Sequence, residues 1–166
     1  APPATARPPQ ADEVEAHGKT LRSTLRKFGL RERHIVGDGN CQFRAVADQL
    51  FGSQEQHATI RQRAVDQMRS KPEQYSGFTV GETFNDYLSR MTDAGSWGDN
   101  LSLQAIADTM AVEIRVITGF ADKSVIVVSP FDGDSVGSIW LGFFAGVCVC
   151  CSVFCLSWRL TSGVCV

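Results

Sequence analysis

The feature that most constrains this chain is a change of apolar period near residue 112. Ahead of it, apolar residues recur at helical spacing: Leu21, Leu25 and Phe28, then Ile60, Ala64, Val65 and Met68, then Phe84, Tyr87, Leu88 and Met91, then Leu101, Leu103, Ile106, Ala107 and Met110. Behind it, 112–117 alternates around Glu113 and Arg115, 124–129 is rich in β-branched residues, and 138–144 is a bulky run after a Gly/Asp turn. Helices first and a few strands later predict an α/β (α+β) domain in which helices flank a small central β-sheet. The order of the strands is not legible from these patterns, and no fixed-period repeat points to a solenoid.

With 166 residues, one domain with an ordinary core is expected, without disulfide or metal support. Four of the six prolines fall in the first ten residues, so 1–19 reads as a flexible Pro-rich lead-in, 20–145 as the folded domain and 146–166 as a separate tail. The chain begins without methionine, so a longer parent is expected. A net charge of −2 with no dense Lys/Arg block provides no electrostatic footprint for nucleic acid or an anionic membrane. Of the six cysteines, Cys41 alone lies in the body, while Cys148, Cys150, Cys151, Cys155 and Cys165 crowd the tail. Adjacent Cys150 and Cys151 cannot clip distant elements, so a disulfide framework is not expected. A reducing, cytoplasmic setting is, with the nucleus as second choice. The tail lacks the paired spacing of a zinc site, so neither metal nor cofactor is expected.

The richest local signal is Gly37-Asp38-Gly39-Asn40-Cys41. Its turn formers exclude helix up to Asn40, after a short strand or extended run at 34–36. Ala45, Val46, Leu50 and Phe51 then line one face of a helix that begins at or just after Cys41 and closes at Gly52-Ser53. A thiol at a helix N-terminus meets the positive end of the helix dipole, which favours thiolate. The turn before it can aim backbone N–H groups inward, as an oxyanion requires. Asp38 could orient a base, or steady the loop by capping the helix. The plainer alternative is a buried core cysteine after an ordinary Asx turn.

These residues carry a resemblance. The string from Gly37 through Gln42-Phe43-Arg44-Ala45 resembles the D-G-N-C nucleophile motif of the OTU (ovarian tumour) cysteine peptidases, which cleave ubiquitin from proteins. Trp97-Gly98-Asp99 followed by Leu103-Gln104-Ala105-Ile106-Ala107 is similar to that family's W-G-D helix-opening segment, and Ile139-Trp140-Leu141-Gly142-Phe143-Phe144-Ala145 to the strand that in plant-like members leads into His-Tyr-Asn. The resemblance implies an OTU-like fold and a thiol-dependent deubiquitinase with ubiquitin or polyubiquitin as partner. Cys41 would be the nucleophile, Asp38 a member of the catalytic loop, and Gly39 and Asn40 part of the oxyanion loop. It also implies a histidine a few residues after the last strand, with an Asn or Asp two residues further on.

That histidine is absent. The three histidines are His17, His34 and His57, and none follows position 57. Neither His34 nor His57 is expected to face the nucleophile, so no catalytic histidine is assigned. Loss of one member of a nucleophile–base set lowers kcat by roughly 10⁴ to 10⁶, so this chain is expected to be an impaired deubiquitinase. The alternative is a catalytically dead protein that still binds ubiquitin. The tail where the base belongs carries no charge between Asp134 and Arg159, and a retained intron or frame change from about Gly146 would account for it. A membrane anchor through 139–158 is the minority reading, because its first residues match the family's core strand.

Overall fold

The computed structural model describes residues 11–119 and 124–144, together with the backbone of a strand at Ser152–Cys155. Among the described residues six helices and four strands follow in order: α1 Ala11–Lys27, α2 Cys41–Phe51, α3 His57–Ser70, α4 Pro72–Tyr75, α5 Phe84–Thr92, α6 Asn100–Met110, β1 Val112–Thr118, β2 Val125–Val128, β3 Gly137–Phe144 and β4 Ser152–Cys155, with single 3-10 turns before α3 and after α4. The expected α+β architecture is the one observed. Each helical stripe and each of the three expected strands forms where the apolar period placed it. Residues 34–36, expected as strand or extended chain, join no ladder, although Ile35 is buried.

The sheet order is β2-β1-β3-β4, with β1 parallel to β3 and the two outer pairings antiparallel. Strand alternation sorts side chains to two faces. Val112, Ile114, Ile139 and Leu141 point into the main core with residues of α2, α3, α5 and α6. Ile117 and Trp140 point the other way, onto Leu21 and Leu25 of α1. Among the described residues the sheet is thus covered on both sides, with α1 on the second, where Phe28 lays its ring against Trp140 at 4.8 Å between centroids.

Two segments differ from expectation. Proline content extends the expected lead-in through residue 19, but α1 begins at Ala11, where Asp12 and Glu13 complement the positive helix end and Glu15 pairs with Lys19 one turn on. The tail contributes β4, whose register sets Leu141 opposite Cys155 and Phe144 opposite Ser152. Val153 and Phe154 have the β-branched and aromatic character that suits such an edge. With β3 and β4 both extended, 139–158 is not one continuous helix. Among the described residues no helix is long and apolar enough to cross a membrane.

β4 covers β3 only from Leu141 onward, and the gap is filled from α2. In the parallel β1–β3 register both backbone groups of Trp140 face away from β1 or toward it together. Gln49 meets both: its Oε1 accepts from the Trp140 N–H at 2.9 Å and its Nε2 donates to the Trp140 carbonyl at 2.5 Å. A side-chain amide here replaces a strand partner and fastens α2 to the sheet, which fixes where Cys41 sits.

Candidate active site

The turn that delivers Cys41 is held by its own sequence first. Gly39 has φ +81°, in the region L residues rarely enter, and Gly95 behind it has φ +85°. Close approach adds a second demand, since a Cβ on Gly39 would lie 2.1 Å from the Gly95 carbonyl oxygen. Glycine at 39 therefore serves both backbone conformation and contact. Asp38 Oδ1 accepts from the Asn40 N–H at 3.0 Å, and Asp38 Oδ2 accepts from Arg44 Nε at 3.0 Å and Nη2 at 2.7 Å. The Arg44 and Asn40 hydrogen bonds hold the Asp38 carboxyl far below the ordinary carboxylate range.

Asp38 is thus a brace across the turn and not the cap of α2. Asn40 occupies the cap position, at φ −100° and ψ 7°, with no side-chain bond to the helix. Arg44 ties the turn onward, donating to the Gln54 carbonyl at 3.1 Å and reaching Glu55 at 3.3 Å. The Asn40 N–H, expected among the oxyanion donors, is committed to Asp38. The Gly39 N–H and the first-turn N–H groups of α2, which lie outside the helix's own hydrogen-bond ladder, are the other donors at its mouth.

The Asn40 side chain is 6% exposed and faces inward. Its Oδ1 accepts from Arg61 Nη2 at 2.8 Å and from the Gly95 N–H at 2.9 Å. Arg61, on α3 and 4% exposed, also donates to the Met91 carbonyl at 3.0 Å and the Ser96 carbonyl at 2.7 Å, and its guanidinium lies 4.0 Å from the Phe43 ring centroid. Gln42, next to the nucleophile, donates to Ser102 Oγ at 3.0 Å, and a Cβ on Gly98 would meet its side chain at 2.6 Å. Asp99 and Ser102 form a reciprocal capping box at the start of α6, and Tyr87 donates to Asp99 Oδ1 at 2.8 Å. Burial, with the Asp99 charge beside it, pushes the Tyr87 hydroxyl well above its ordinary pKa.

The two sequence blocks, 37–45 and 97–107, are therefore one clasp, with segment 93–99 laid against the cysteine turn. Cys41, packed at the core edge, is half-buried and not sealed inside, and it is in no disulfide. On the outer side of Asp99 opens a hollow of about 320 Å³ bounded by Phe78, Val80, Tyr87 and Arg90. No cluster of potential metal ligands occurs among the described residues.

The histidines stand apart from this clasp. His34 contributes its carbonyl to Gln54 Nε2 at 2.9 Å, and His57 opens α3 with a buried Nδ1 that lacks a partner. Burial, helped by Arg44, lowers the His57 pKa below the ordinary histidine value. Neither hydrogen-bonds to Cys41. The tail segment that would carry the family's histidine, around Cys148 and Cys150, lies outside the described residues. Sequence reading missed Arg44, Gly95 and Arg61 as parts of the site. Arg61 did leave a signal, because it sits on the apolar stripe of α3, three, four and seven residues before Ala64, Val65 and Met68, where a charge is out of place.

Comparison with known proteins agrees with this geometry. A family model described as "OTU-like cysteine protease" matches residues 36–138. The chain is 43% identical over 140 residues to OVARIAN TUMOR DOMAIN-containing deubiquitinating enzyme 10 of Arabidopsis thaliana, covering 84% of this chain and 39% of that protein, and 42% identical over 139 residues to enzyme 9 of the same plant, covering 84% and 40%. It thus spans about two fifths of the length of these relatives. Among solved structures, the OTUD1 OTU domain superposes with a TM-score of 0.75 at 22% identity, covering 89% of this chain and 98% of that one. An ovarian tumour domain solved in complex with ubiquitin gives 0.62 at 19% identity, covering 77% and 69%. At these identities the two structures speak for the fold.

Proposed function

This chain belongs to the OTU-like cysteine protease family, and from that premise we propose that it is a deubiquitinase domain whose nucleophile is Cys41, impaired by the absence of the family's histidine. The observation that carries the reading is the placement of Cys41 as the first residue of α2, behind a glycine turn braced by Asp38–Arg44. In that position the thiolate would attack the carbonyl of ubiquitin's C-terminal glycine. The carbonyl oxygen would become an oxyanion against the first-turn N–H groups, and the thioester would form as the amine leaves. Asp38 and Asn40 serve the turn: both Asp38 oxygens are engaged, which argues against Asp38 as the orienter of a base.

Departure of the amine needs a proton, and no histidine follows His57 to deliver it. Turnover is therefore slow while the thiol remains competent to capture an electrophile. A ubiquitin probe with a C-terminal electrophile is expected to label Cys41, and a Cys41→Ser variant to stay unlabelled. No labelling of the wild-type chain would overturn the reading. The missing histidine also favours a second reading, a ubiquitin-binding pseudoenzyme. Saturable binding of monoubiquitin or diubiquitin, with neither probe capture nor cleavage, would select it. A cytoplasmic location belongs to the same proposal and is read by imaging the tagged full-length parent.

A further inference from the structure

We propose that Arg61 is a positioning residue for Cys41: its guanidinium, pinned by Asn40, Met91 and Ser96, is a permanent buried charge behind the nucleophile turn that favours the thiolate. The proposal rests on the reading of Cys41 as nucleophile and adds the source of its activation. Among the described residues no carboxylate forms an ion pair with Arg61. Its partners at Asn40, Met91 and Ser96 are neutral oxygens, and its Nε is buried without an acceptor. A guanidinium stays protonated in such a place, even though burial draws its pKa down. A buried cation with no carboxylate in direct contact acts on nearby groups able to become anions.

Cys41 is one such group, the residue after the one Arg61 grips; the Asp38 and Asp93 charges steady the guanidinium first, and a Cys41 thiolate adds to them. Among the described residues, the carboxylates that also act on Arg61 are engaged elsewhere or solvated. Asp38 is paired with Arg44, Glu55 is an exposed second partner of Arg44, and Asp93 is exposed at the end of α5. At His57, burial first and then Arg44 lower the pKa, which disfavours its charged form. β3 carries no ionisable side chain, and β4 carries Cys155 alone. The helix dipole of α2 acts on Cys41 in the same direction and is common to every variant below.

The test is the pH dependence of Cys41 alkylation by iodoacetamide, a neutral reagent that needs no ubiquitin, followed peptide by peptide so that the tail cysteines are read separately. Arg61→Gln is expected to raise the alkylation midpoint by about one pH unit or more. At neutral pH the rate should fall about threefold, because a tenfold loss of thiolate is partly offset by the greater nucleophilicity of a more basic one. Arg61→Lys keeps the charge and loses the planar fork, so its midpoint should stay within about 0.3 unit of wild type while its thermal midpoint drops. An unchanged midpoint in Arg61→Gln, or an equal rise in Arg61→Lys, would overturn the proposal, since a purely structural role predicts one or the other. If Arg61→Gln does not fold, Asn40→Asp sets a carboxylate against the guanidinium while keeping the Oδ1 acceptor. It must raise the midpoint, and no rise overturns the proposal. Because ubiquitin is absent from this assay, failure of the probe labelling and failure of this inference are separate results.

Discussion

Replacing Gly39 by alanine isolates what the close approach of the turn to Gly95 contributes, because Gly52 provides a matched control. Both glycines lie in the left-handed region, at φ +81° and +71°. A Cβ at Gly52 would meet nothing within 4 Å, whereas one at Gly39 would lie 2.1 Å from the Gly95 oxygen and 2.8 Å from its carbonyl carbon. Gly52→Ala should therefore cost only the left-handed strain, about 1 to 2 kcal/mol. Gly39→Ala adds displacement of the Gly95 backbone and loss of the Asn40–Gly95 hydrogen bond. That bond is worth about 1 kcal/mol, and re-routing a backbone segment adds about 1 to 3 kcal/mol more. The excess over Gly52→Ala is thus about 2 to 4 kcal/mol, equivalent to roughly 4 to 16 °C in Tm for a domain of this size. Urea unfolding of the wild type and both variants, at matched m-values, measures it. Equal costs within about 0.5 kcal/mol would refute the argument that contact with segment 93–99 requires glycine at position 39.

The Asp38–Arg44 brace predicts an acid limb of known sign. The folded Asp38 pKa lies below its unfolded value, so its contribution is complete above about pH 4 and is lost as pH falls through the folded value; Asp38→Asn should flatten the urea midpoint in that window, and an unaltered acid limb counts against it. Gln49→Ala leaves the Trp140 N–H and carbonyl without their partner and should lower stability by about 2 kcal/mol in chemical denaturation, a loss below about 0.5 kcal/mol arguing against a strand-replacing role. Ser102→Ala opens the α6 capping box and should cost about 1 kcal/mol, measured the same way. Histidine introduced in turn at positions 146, 147, 148 and 149, with asparagine two residues later, should at one position raise diubiquitin cleavage by about 10² or more, while silence at all four positions would mean the missing base is not what limits turnover.

Much of this was open to a reader of the sequence. The apolar period placed α2, α3, α5 and α6 and the strands β1 to β3, because each is decided by which side of an element meets the core. The run of turn formers before Cys41 put a thiol at a helix start, and the two family-like blocks came in order. Near α1 the local reading stopped short: proline content set the boundary, and the acidic first turn that starts the helix at Ala11 carried little weight against it.

What joins those blocks is not local. Asn40 meets Arg61 and Gly95, 21 and 55 positions away, and Gln49 meets Trp140 across 91. The sequence by itself decided that a cysteine would follow a glycine turn at the head of a helix, since φ preference and apolar spacing act between neighbours. Only the tertiary structure decided what stands behind that cysteine, because a buried guanidinium and the carbonyls that hold it are brought within 3 Å of one another by packing, which no short stretch of chain encodes.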